Sequence, residues 1–80
     1  MGAAVIDMEK VKIPKPEKIV AARVAAGITQ GEAATLCGLG ARTRWTEYEN
    51  GTRTPKAATW VMFLLLTDQH EDFRLARRRS

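Results

Sequence analysis

Four basic side chains, Arg42, Arg44, Arg53 and Lys56, fall within one fifteen-residue window of an 80-residue chain. This clustering is the densest chemical signal in the sequence. Guanidinium and ammonium groups at such spacing suit phosphates and the edges of nucleic-acid bases. Catalytic chemistry is not indicated. One cysteine, Cys37, excludes an internal disulfide, and together with the single His70 it makes no cluster with metal-ligand spacing. The expectation is a non-enzyme with no cofactor and no small-molecule ligand. The formal charge of +4 is unevenly spread. Residues 1–15 carry +1, residues 16–73 carry −1, and Arg74, Arg77, Arg78 and Arg79 add +4. A basic balance permits a nucleic-acid partner without establishing one, so the clustering matters more than the total.

The elements that position this window must come from one small domain, since 80 residues leave no room for two cores. The chain is 45% apolar and 28% charged, a globular mix. Its longest apolar stretch, Trp60 to Leu66, has seven residues, far short of a membrane span. Asp7, Glu9, Lys10 and Lys12 interrupt the apolar positions of Met1–Ile13, so no secretory signal is expected. A cytoplasmic protein without a membrane partner is the resulting expectation.

Residues 1–15 lack a helical period and end in Ile13-Pro14-Lys15-Pro16, which predicts a flexible arm. A very short strand at Val11–Ile13 is the alternative. Pro16 suits the first position of a helix. Ile19, Val20, Arg23 and Val24 then share one face, and Gly27 ends the helix. Thr29 and Glu32 form a capping box for a second helix, with Ile28 as its staple, running to about Cys37 and stopping at Gly38. The third helix runs from about Ala41 to Asn50, with Trp45 and Tyr48 inward and Gly51 closing it. Thr54-Pro55 is read as the cap of a fourth helix reaching Leu66, and a short fifth begins near Thr67 or Asp68. The expected domain is thus 16–67, with a short C-terminal helix and basic tail over 68–80. The fold class is all-α, a compact bundle of four to five helices.

Only about four residues separate the second and third helices, which forces a steep crossing with a small residue, Ala34, at the contact. Gly38 opens the turn and Leu39 plugs it into the core. This is the pattern of a helix-turn-helix, whose second helix enters the DNA major groove. Gln30-Gly31-Glu32-Ala33-Ala34, Gly38-Leu39 and Trp45-Thr46-Glu47-Tyr48-Glu49-Asn50-Gly51 resemble the Cro/CI-type (XRE) DNA-binding domains, which are lambda-repressor-like. The likeness covers roughly residues 16–66 and extends to small phage regulators, including anti-CRISPR-associated repressors. There is one departure: Glu49 lies eleven positions after Gly38, one more than the usual pattern. Either the turn is longer or the recognition helix starts one residue early, which leaves open whether Arg42 or Arg44 meets the bases.

The resemblance implies a transcriptional repressor that binds double-stranded DNA at an inverted-repeat operator as a homodimer. It places Arg42, Thr43, Arg44, Thr46 and Glu47 on base-reading positions and Gln30, Arg53 and Lys56 on phosphate. It also implies a partly buried ion pair between Arg23 and Glu49. The alternatives at these positions are a solvated face in which Arg42 pairs with acids such as Glu47, and a Glu47 that orients an arginine instead of reading a base. The apolar excess of the fourth helix suggests a dimer interface including Leu65 or Leu66, with Phe73 and Leu75 nearby. An antitoxin-type module and an interaction module that never touches DNA are the rival functions.

Overall fold

The computed structural model describes residues 7–73. Among these the chain forms a single 3-10 turn, Met8–Lys10, and four helices: α1 (Pro16–Ala26), α2 (Gln30–Leu36), α3 (Arg42–Asn50) and α4 (Ala57–Leu66). No strand occurs among the described residues, and the all-α class holds.

Three of the helices end in the same way. In α1 the amide of Gly27 donates to Val24 O and that of Ile28 to Arg23 O; in α2 Gly38 donates to Thr35 O and Leu39 to Ala34 O. In α4 Asp68 donates to Leu65 O and Gln69 to Leu64 O. Each is a Schellman closure around a left-handed residue, with φ of 71° at Gly27, 65° at Gly38 and 60° at Asp68. Ile28 and Leu39, the residues after the first two closures, pack against the core. Gln69 takes the same place after α4 but is polar. Its carboxamide donates to Ala22 O of α1 at 3.0 Å and to Thr67 Oγ1 at 2.8 Å.

This closure corrects the expected fifth helix, which does not form between Thr67 and Phe73. Asp68 turns the chain back, Gln69 is held on α1, and His70 Nδ1 accepts the amides of Asp72 and Phe73 at 3.1 and 3.2 Å. Residues 74–80, with Leu75 and the terminal arginines, lie outside the described residues, as do residues 1–6. The part of the expected N-terminal arm that is described is attached to the bundle. Asp7 Oδ1 accepts the Glu9 amide at 3.0 Å, the turn lies against α4, and Val11 packs on the core.

The core comprises Ile19, Ala22, Ala33, Ala34, Cys37, Trp45, Tyr48, Trp60 and Phe63. Buried alanines on α2 let α3 lie close, and α2 with α3 is the most extensive helix contact in the chain. Four aromatic rings then link α3 to α4. Tyr48 meets Trp45 edge-on at 5.8 Å, Trp45 lies 4.9 Å from Phe63, and Phe63 stacks on Trp60 at 5.6 Å. Fully burying rings of this size stabilises each by about 1.5–3 kcal/mol, a large share for so small a domain.

Two details differ from the sequence reading. On α1 the inward residues are Ile19 and Ala22, with Arg23 and Ala26 partly covered, whereas Val24 is 62% exposed. The face combines β-branched Ile19 with the small Ala22, and Val24 turns away from it. The start of α4 also comes later than Thr54-Pro55. Pro55 is itself buried, Lys56 is extended with φ −69° and ψ 152°, and Thr54 does not cap the helix.

Gly38 and Gly40 both sit at positive φ, 65° and 82°, in the turn between α2 and α3, whereas Gly31 is helical. An added methyl at Gly31 would meet Arg42 Cδ at 3.8 Å, an ordinary contact. Gly38→Ala is therefore expected to cost about 1–2 kcal/mol, and Gly31→Ala to stabilise by about 0.5 kcal/mol. Urea titrations check both. Burial also pushes the Cys37 thiol up to about 11. The folded protein should accordingly resist a thiol reagent at about pH 8, with labelling rising in step with the unfolded fraction as urea is added. Rapid labelling of the native state would contradict the burial.

Candidate nucleic-acid interface

Helix α3 has one face committed to the bundle. Trp45 and Tyr48 are 1% and 5% exposed, and Glu49 points to the same side. With 3.6 residues per turn, Thr43, Thr46 and Glu47 must then face away. Arg42, Thr43 and Arg44 are exposed, and Thr46 and Glu47 are half-buried. Gly38 and Gly40 are both left-handed in the turn before α3, and α3 starts at Arg42. Its first residue lacks side-chain capping from Ala41.

The expected Arg23–Glu49 pair is present. Arg23 Nε donates to Glu49 Oε2 at 2.6 Å, with the two side chains 18% and 8% exposed. Arg23 also reaches Glu49 Oε1 at 3.4 Å and the carbonyl of Ile28 at 3.0 Å. Two further donors converge on this carboxylate: Trp45 Nε1 on Oε2 at 2.6 Å and Gln30 Nε2 on Oε1 at 3.0 Å. Burial alone would raise the Glu49 carboxyl. The hydrogen bonds from Arg23, Gln30 and Trp45, with the charge of Arg23, outweigh it and hold the group below its ordinary value of 4.5.

Gln30, a phosphate position by the resemblance, donates its carboxamide N–H to Glu49, where it helps to satisfy the carboxylate. Sequence reasoning missed both this contact and the Trp45 indole as a donor. The i, i+4 spacing of Trp45 and Glu49 was the available signal.

Outside, a second carboxylate organises the remaining positions. Glu47 Oε1 accepts from Arg53 Nε at 3.1 Å and lies 3.8 Å from Arg44 Nε. The Arg53 amide donates to Glu47 O at 3.1 Å, and Asn50 Oδ1 accepts the Thr52 amide at 2.8 Å, so the loop after α3 is fastened to the helix. The Thr46 hydroxyl donates to Thr43 O at 2.8 Å. Among the described residues no acid pairs with Arg42, whose stem passes beside Gly31 at the start of α2. Glu47 thus pairs with Arg44 and Arg53, not with Arg42. Lys56 is exposed just before α4. Arg44 and Arg53 meet at Glu47, and Arg42 at the first turn of α3 and Lys56 just before α4 are exposed as well; exposed cations of this kind suit binding a polyanion.

Leu65 and Leu66 are half-buried within the chain, and Met62 on the same helix is 38% exposed. No group of His, Cys, Asp and Glu that could hold a metal occurs among the described residues. No helix among them is long and apolar enough to cross a membrane.

Removing one partner of a buried pair strands the other charge. Glu49→Gln is expected to cost about 3 kcal/mol, measured as a fall in the urea midpoint. The folded pKa of Glu49 is depressed, so its stabilisation is complete above the ordinary carboxyl value and is lost as pH falls through the folded value. The gap between parent and variant should therefore narrow as pH falls below the ordinary carboxyl value of 4.5. A constant gap would mean that the charge of Glu49 contributes nothing.

No family model, curated protein or solved structure matches the chain.

Proposed function

We propose that this chain is a sequence-specific DNA-binding regulator, acting as a repressor within the cytoplasm, with α3 as its recognition helix. The observation that carries the reading is the division of α3: Trp45, Tyr48 and Glu49 hold one side to the bundle, Thr43, Thr46 and Glu47 face away from it, and Arg42 and Arg44 are exposed in the first turn. A helix anchored in this way can project its outer side chains into a major groove without losing its fold. Arg53 and Lys56 flank it, where DNA backbone would pass. The resemblance to Cro/CI-type domains over residues 16–66 supports the same reading. Arginine favours guanine O6 and N7, and threonine offers its methyl to thymine. No catalytic role is assigned to any residue.

The repressor would act as a homodimer on an inverted repeat. Met62, Leu65 and Leu66 on α4 supply apolar surface for a two-fold contact, which would set two recognition helices about 34 Å apart.

The testing experiment recovers preferred duplexes from a randomised pool and compares them with random duplex at several salt concentrations. Arg42→Ala should cost about 1–3 kcal/mol on the preferred duplex and relax the preference at one base pair. Lys56→Ala should weaken both duplexes alike and reduce the salt dependence by about one phosphate. Absence of salt-sensitive DNA binding by the parent protein would overturn the reading in favour of a protein-interaction module.

A further inference from the structure

Glu47 is the acid between Arg44 and Arg53 on the outer side of α3, and its contacts have a common geometry. Both arginines approach it through Nε, Arg53 at 3.1 Å and Arg44 at 3.8 Å, on the same oxygen, Oε1. Only Arg53 is within hydrogen-bond distance; held at Nε, its guanidinium has a fixed plane, and its outer pair of Nη groups remains to make a two-pronged contact with another acceptor. The Arg53 amide also donates to the carbonyl of Glu47, so the same residue sets the path of the loop that carries Arg53. Arg42, at the start of the helix, has no such counter-charge among the described residues.

We infer that Glu47 is a positioning and specificity-determining residue: it aims Arg53 and suppresses the attachment of Arg44 and Arg53 to arbitrary phosphate. The inference rests on the DNA-binding reading above and assigns Glu47 a role other than direct contact with a base. Two effects follow from one carboxylate. Its negative charge opposes any phosphate that approaches Arg44 or Arg53, which weakens binding to every DNA sequence. Its hydrogen bond to Arg53 presets the side chain, so a duplex whose acceptors match the preset plane loses less than a random one. Specificity is a difference between affinities, and a repulsive element that acts mainly on wrong partners enlarges it. The pairs are half-exposed, with Arg44 and Arg53 at 48% and 49%, so a matching acceptor can compete for the arginines.

The test uses the full chain, a random-sequence duplex, and the duplex that the parent protein prefers from a randomised pool. Glu47→Gln should bind random duplex several-fold more tightly and steepen its logarithmic salt dependence by about one to two phosphates. The ratio of preferred to random affinity should fall. Adding Arg53→Ala to Glu47→Gln should return random binding towards the parent value, because the released cation is then gone. Melting curves of the variants check that each is folded, which the place of Glu47 outside the core favours. Unchanged random affinity and salt slope in Glu47→Gln would overturn the inference. So would a change confined to one base-pair position of the preferred duplex, which would make Glu47 a direct reader. If the parent protein binds neither duplex, the DNA-binding reading itself fails and this inference falls with it.

Discussion

The carboxylate of Glu49 is shared by α1, through Arg23, by α2, through Gln30, and by α3 itself, through Trp45. A charge removed from water must be matched by donors, or it will neutralise itself or unfold its surroundings. Here each donor comes from a helix that has to be in its native place for the bond to form. The mutual orientation of the first three helices is therefore coupled to the ionisation of one side chain. The outer surface of α3 inherits its direction from that arrangement, because Trp45 and Glu49 fix the rotation of the helix about its axis. The function proposed for the surface depends on an interaction that never touches a ligand.

The aromatic rings complete this frame from the other side. Trp45 takes part in both systems, with its indole N–H on Glu49 and its ring against Phe63. A substitution at Trp45 would thus remove a buried donor and a packing contact together, and its two effects would not be separable by simple addition. Trp60 and Phe63 extend the same stack into α4. The outer face of α3 is consequently braced by α1 and α2 through a polar cluster and by α4 through an apolar one.

Features governed by local chemistry were legible in the sequence. Pro16 at the start of α1, the Thr29–Glu32 capping box, the glycine ends of α1 and α3, and the inward turn of Trp45 and Tyr48 all follow rules that act within a few residues. The Arg23–Glu49 pair came from the resemblance rather than from spacing. What escaped was set by tertiary competition. Val24 matched an apolar face, yet the close packing of α1 used Ala22, and no local rule ranks those choices. The contact of Gln30 with Glu49 depends on where the fold brings a residue nineteen positions further on, which no local pattern gives. The Glu47–Arg53 contact needed the route of the loop after Gly51, which pattern alone does not give. The absent helix over Thr67–Phe73 has a similar origin, since a left-handed Asp68 carries no glycine to announce it.

The bond from Gln69 to the carbonyl of Ala22 joins residues 47 positions apart, the widest separation among the side-chain hydrogen bonds of the described chain. Most of the contact between α2 and α3 is instead close in sequence. Chain closure over long loops carries an entropic penalty that local pairing avoids. The α2–α3 unit can accordingly assemble early, while the clasp between the end of α4 and the middle of α1 belongs to the last stage of folding. Its rupture would be an early step in unfolding, so the lifetime of the native state, more than the speed of reaching it, is where Gln69 acts.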